Sequence, residues 1–230
     1  MNIVFLSSAG GYTFEYALHA QKLGLISGTV TKIVTDRPCR TESVASHFGI
    51  PHERINCSRE TSLDEYTKKL LEAIPNDTDL VCISLMRLVG DELISRYPNR
   101  VVNTHPSLLP AYKGFGANKL MLNEGKTLFG GCSLHLVDNL PDNGSIIIQS
   151  VEPLDPGLDQ KTLEFKLWSN QKKNFSQTLQ WFAEDRVILM NEKVFIRDAM
   201  YGHLPTNPKI EIDFDPVDVV YASEKVVDKK

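Results

Sequence analysis

From Asn2 to His105 the chain alternates short apolar runs with amphipathic stretches, a pattern that few folds accommodate. Asn2–Ser7 is a continuous apolar strand, followed by a glycine-containing turn and a helix over 12–23. A second strand over 28–35 leads to a short helix over 42–48 closed by Gly49, and a third short strand is expected over 52–56. Ser62 then stands where an N-cap belongs, with Glu65 at the capping-box position. The apolar residues Leu63, Tyr66, Leu70, Leu71 and Ile74 follow at helical spacing. A buried-type strand over 79–84, a helix near Asp91–Arg96 and the run Val101–His105 complete the series. Repeated strand-helix units predict an α/β fold: an open, mostly parallel twisted sheet flanked by helices and joined by right-handed crossovers. In such sheets ligands bind at the carboxyl ends of the strands.

The second half reads differently. Residues 130–151 form two strands around a loop with a turn at Asn143-Gly144. A long helix over 158–184 carries Leu163, Leu167, Trp168, Phe175, Leu179 and Phe182 as an apolar stripe, which is read as packing. From Arg197 onward comes a loop, then an alternating, strand-like segment over 210–215, and Pro216 with the charged ending suggests a mobile terminus. The expected organisation is a catalytic domain over 1–196 and a C-terminal extension over 197–230.

Composition excludes some classes of function. With 42% hydrophobic residues in 230 and a net charge of −4, the chain supports one core with an appendage and has no broad basic field for nucleic acid or an anionic membrane. No run approaches the ~18–20 apolar residues of a membrane span, and the N-terminal strand lacks the basic start of a signal peptide. A cytoplasmic location is expected, with a homodimer allowed for. Cys39, Cys57, Cys82 and Cys132 are scattered, so they read as reduced thiols, with neither a disulfide nor a metal site expected.

The chemistry concentrates in Asn103-Thr104-His105-Pro106-Ser107-Leu108-Leu109-Pro110. Residues two apart on a strand share a face, so Asn103 and His105 project together. Pro106 and Pro110 stiffen the loop that follows. By itself such a pair equally suits a capped strand end. Downstream lies Gly131-Cys132-Ser133-Leu134-His135, then Asp138-Asn139-Leu140-Pro141-Asp142-Asn143-Gly144, and then an apolar strand ending in Gln149. Together these stretches resemble the folate-dependent formyltransferases, whose signature is Asn-X-His-Pro-Ser-Leu-Leu-Pro, a Gly-Cys-(Ser/Thr)-X-His strand and an Asp before a small residue and Gly. The resemblance extends from residue 1 to about 194.

That resemblance implies a formyltransferase fold of Rossmann-like type, with 10-formyltetrahydrofolate as cosubstrate and a primary amine as acceptor. The acceptor expected first is 5′-phosphoribosylglycinamide of purine biosynthesis. The alternatives are another amine, such as a nucleotide-linked amino sugar, or a catalytically silent folate-binding protein. Asn103 and His105 would meet the oxyanion and Asp142 would handle the proton, with His135 a packed histidine behind them. Met86, Arg87, Leu88 and Val89, with Asp138, Asn139, Leu140 and Pro141, would hold the pterin, although Met86 and Leu88 taken alone read as core. Gly10, Gly11, Tyr12, Thr13, Pro106 and Gln171 would face the amine substrate. Here the chain departs from the family pattern: Tyr12-Thr13 replaces Ser-Asn in the first turn, Gln171 replaces a Glu, and Asn118 stands where a His is common. A glycine pair between strand and helix suits a tight turn as well as an anion site.

Overall fold

The computed structural model describes residues 1–124, 127–155, 157–212 and 214. Its strands are β1 (Asn2–Ser7), β2 (Thr29–Thr35), β3 (His52–Arg54), β4 (Leu80–Ser84), β5 (Val101–His105), β6 (Phe129–Leu136), β7 (Ile146–Pro153), β8 (Val187–Met190), β9 (Lys193–Ile196) and β10 (Thr206–Asn207). Its helices are α1 (Tyr12–Lys22), α2 (Thr41–Phe48), α3 (Leu63–Ala73), α4 (Asp91–Arg96), α5 (Ala117–Glu124) and α6 (Gln160–Ala183).

Eight strands form one sheet in the order β10-β7-β6-β5-β4-β1-β2-β3, and β8 and β9 form a separate hairpin. The first five strands are parallel, whereas β6 runs against β5, β7 against β6 and β10 against β7. This is the expected open, mostly parallel sheet with an antiparallel flank. Alternation along β1 sends Ile3 and Phe5 into one core cluster with α1 and α6 and sends Val4 and Leu6 into a second with α3 and α4. Burial on both faces explains why β1 reads as an unbroken apolar run. Ser62 caps α3 through Glu65 N–H at 3.2 Å, and Gly49 ends α2 in the left-handed region, both as the sequence predicts.

Three elements lie outside the sequence reading: α5, the β8–β9 hairpin and β10. The strand-like segment from 210 needs correction. Residues 210–212 and 214 have no strand pairing, because Gln177 Oε1 accepts the N–H groups of Glu211 and Ile212, the latter at 2.7 Å. The sheet edge is occupied instead by β10, where Thr206 pairs with Ser150 and Asn207 with Gln149. Ile210, Ile212 and Phe214 pack against the core, and Arg186 grips both carboxylate oxygens of Glu211 at 2.6 and 2.7 Å. Pro216 and the charged ending lie outside the described residues. Among the described residues the cysteines are free, and no helix is long and apolar enough to cross a membrane.

Candidate active site

β5 ends in the middle of the sheet, and Asn103 and His105 leave it on one face. The antiparallel partner adds a third polar group, since the register sets His135 of β6 directly opposite Asn103. Asp142 rises from the loop between β6 and β7 with a left-handed backbone, φ 50°. Its Oδ2 accepts Gly114 N–H at 2.8 Å and lies 3.4 Å from His105 Nδ1, and its Oδ1 lies 3.6 Å from His135 Nε2 and 3.5 Å from Asn103 Nδ2. Asn103, His105, His135 and Asp142 therefore form one cluster. His135, only 1% exposed, packs beside the carboxylate at 3.6 Å.

Carbonyl oxygens only accept, so the ring nitrogens facing them carry hydrogen. His105 donates from Nε2 to Tyr112 O and His135 from Nδ1 to Leu136 O, each at 2.8 Å. The other nitrogens, His105 Nδ1 and His135 Nε2, turn toward Asp142. The His135 ring beside it is the largest influence on the Asp142 carboxyl. With Gly114 N–H and the charges of both imidazoles it outweighs burial and brings the group down to about 2. Asp142 is thus a carboxylate at neutral pH. The His135 contact donates only when both of its ring nitrogens carry hydrogen.

The Pro-rich loop is pinned from β6 and β7. Ser133 Oγ donates to Ser107 O at 2.7 Å and accepts from Leu109 N–H at 3.0 Å and from the Gln149 amide at 2.9 Å. A Cβ at Gly131 would strike the Ser150 carbonyl and the Leu108 side chain. The Gly-Cys-Ser-Leu-His strand thus holds the loop with its serine, admits it with its glycine and reaches the carboxylate with its histidine.

A cleft of about 1540 Å³ opens over this cluster. Met86, Arg87, Leu88 and Val89 line one end, and Asp138, Asn139, Leu140 and Pro141 form a loop beside it. Met86, Leu88 and Leu140 are 53%, 49% and 62% exposed, so the core reading of Met86 and Leu88 is set aside. Three exposed apolar side chains lining one cleft, beside backbone polar groups, suit a flat heteroaromatic ring such as a pterin. Arg87 faces away in part: its guanidinium donates to Ser58 O and Thr61 O at 3.0 and 2.6 Å and stacks on Tyr66.

Tyr12, Thr13, Pro106, Asn118 and Gln171 line the other end. Gly10 and Gly11 are not among the described lining residues. A Cβ at Gly10 would meet the Tyr12 ring at 2.7 Å, and Gly11, the N-cap of α1 at φ 66°, backs onto Thr41 at the start of α2. Both serve the tight turn. The Gln171 amide donates to the Thr104 hydroxyl, which ties α6 to β5. Asn118 Oδ1 is buried with no hydrogen-bond partner among the described residues. Arg40, Phe165 and Trp168 also line this end. Trp168 thus belongs to the cleft wall as well as to the apolar stripe. Arg40 lies over the Tyr12 ring at 4.3 Å and donates to Gly10 O and Glu15 at 2.9 and 2.6 Å. Its place in a loop far along the chain left no motif to announce it. Among the described residues no group of His, Cys, Asp and Glu could hold a metal ion.

Comparison with known proteins gives a consistent picture. The family model described as formyl transferase matches residues 1–179. The phosphoribosylglycinamide formyltransferase of Escherichia coli (strain K12) is 28% identical over 190 residues, covering 81% of this chain and 89% of that protein. The structure of the phosphoribosylglycinamide formyltransferase from Coxiella burnetii in complex with CHES superposes with a TM-score of 0.79 at 27% identity, covering 85% of this chain and 93% of that one. The formyltetrahydrofolate deformylase of Bacillus subtilis (strain 168) is 31% identical over 155 residues, or 66% of this chain and 51% of that protein.

Proposed function

The chain belongs to the formyl transferase family, and we propose that it moves the formyl group of 10-formyltetrahydrofolate onto the primary amine of 5′-phosphoribosylglycinamide, a step of purine biosynthesis. The observation that carries this reading is the Asn103, His105, His135 and Asp142 cluster at the floor of a cleft with an apolar wall at one end. The acceptor follows the names of the relatives. With it goes the cytoplasmic location expected from the sequence. Catalysis is assigned to residues 1–196, with 197–230 as an extension.

Attack of the amine on the formyl carbon forms a C–N bond and pushes the carbonyl electron pair onto oxygen, leaving an oxyanion and a cationic nitrogen. Asn103 Nδ2 and His105 Nδ1 are assigned to the oxyanion. Among the described residues each is held within the cluster by contacts of 3.3 to 3.5 Å, so each remains available as a donor. His105 donates from Nδ1 when its ring carries both hydrogens, because Nε2–H is committed to Tyr112 O. Asp142 takes the proton from the nitrogen, directly or through water. His135 holds the Asp142 carboxylate in place. Collapse of the intermediate re-forms the carbonyl, breaks the bond to the folate nitrogen and returns a proton to that nitrogen. Products are the N-formyl amine and tetrahydrofolate.

One further reading has an observation of its own. A carboxylate able to accept a proton from an amine can accept one from water, and a deformylase is among the relatives. The purified protein with 10-formyltetrahydrofolate, supplied in turn with 5′-phosphoribosylglycinamide, a nucleotide-linked amino sugar or no amine, separates the readings. Tetrahydrofolate release that depends on phosphoribosylglycinamide is the expected result. Equal release without amine, accompanied by formate, would replace transfer with hydrolysis, and no release under any condition would leave a silent folate binder.

A further inference from the structure

The extension returns to the catalytic body beside α1. There Phe214 stacks on the Tyr16 ring, with centroids 4.5 Å apart and planes at 24°, and its carbonyl accepts the Tyr16 hydroxyl at 2.7 Å. Lys172 of α6 is 8% exposed, and its ammonium sits between two rings, 4.9 Å from the centroid of Tyr16 and 4.5 Å from that of Trp168. Trp168 meets the Tyr12 ring edge-on at 5.7 Å. Two rings, one cation and two more rings therefore run without a break from the extension to the wall of the cleft. Face-on cation contacts and offset or edge-on ring pairs are attractive and orientation-dependent, so each member of such a series constrains the next.

We infer that the extension shapes the acceptor end of the cleft: Phe214, through Tyr16 and Lys172, sets the position of the Trp168 ring on which the amine substrate rests. Phe214 and Lys172 are positioning residues, because neither lines the cleft, whereas Trp168 is the surface presented to the acceptor. The inference rests on the transfer reading given above. It extends that reading, since the matched family region ends at residue 179 and Phe214 lies beyond it. The residues assigned to the donor, 86–89 and 138–141, come from the loops after β4 and β6, whereas the series runs through α1 and α6. Loss of the far ring should therefore be felt by one substrate only.

Phe214→Ala and Phe214→Tyr, with Trp168→Phe as a spectroscopic control, test this in the full chain. Phe214→Ala is expected to raise KM for the amine about three- to tenfold while kcat and KM for 10-formyltetrahydrofolate stay within about twofold. Phe214→Tyr keeps the ring and should restore the amine KM. An unchanged amine KM, or both KM values and kcat moving together, overturns the inference. The emission and acrylamide quenching of Trp168, identified as the signal lost in Trp168→Phe, give a second readout that needs no turnover. Phe214→Ala should shift both, and an unshifted Trp168 overturns the inference. If the unaltered protein formylates no amine, the transfer reading fails, and the fluorescence comparison still decides whether the extension positions Trp168.

Discussion

At Asp142 a backbone N–H and two imidazoles converge on one carboxylate, and their combined pull keeps it ionised far into acid. Asp142→Asn keeps the shape and removes the charge. It should lower kcat roughly 10²- to 10⁴-fold, the usual worth of a positioned proton acceptor, with a near-native circular dichroism spectrum. The carboxyl's folded value of about 2 lies below the ordinary 3.8. Its contribution to stability is therefore complete above about pH 4 and is lost as pH falls toward 2, roughly 2 kcal/mol in all. Urea unfolding from pH 5 down to 2 should show that much less acid sensitivity in Asp142→Asn, and identical slopes would place the linkage elsewhere. Asn103 and His105 are legible in the sequence because strand periodicity alone puts them on one face, and Asp142 is legible through its motif. The contact made by His135 is not, since it depends on the register between β5 and β6, which no local pattern announces.

The β6–β7 pair is the element on which the site hangs. Gly144 lies where the chain leaves the Asp142 loop, and a Cβ there would strike the Leu136 carbonyl, a rigid backbone group. Gly144→Ala should cost about 2–3 kcal/mol in urea unfolding and reduce kcat as well, because the carboxylate moves with the loop. Retention of both would show that the loop yields without cost. Among the elements, β1 and β4 are legible as buried apolar runs, β2 and β5 by their place in the alternation of strands and helices, and α3 by its cap. The β8–β9 hairpin is not, because its tight turn is Asn191-Glu192, both at positive φ, and the glycine that usually marks such a turn is missing. α5 is short and mixes Asn, Lys and Glu among its apolar residues, so its periodicity is faint. Residues 210–212 alternate like a strand because Ile210 and Ile212 pack inward, although their neighbour is a helix side chain rather than another strand.

For the whole molecule, the extension completes a body that would otherwise end at an open edge. β10 pairs with β7, and the apolar residues after it cover the core over α1 and α6. A chain stopped after residue 196 should melt several degrees lower and self-associate, since it bares both the β7 edge and apolar surface. Calorimetry and light scattering would show this, and an unchanged melting temperature with a monodisperse protein would make the extension dispensable to the fold. The two ends of the cleft also differ in how far apart their parts lie along the chain. Asn103 and Asp142 are 39 positions apart, whereas Tyr16 and Phe214, which brace the acceptor wall, are separated by 198. Contacts between distant residues are entropically dearer to close and tend to form late. In time, then, a chain leaving the ribosome can bring Asn103 and Asp142 together while Phe214 has yet to be made.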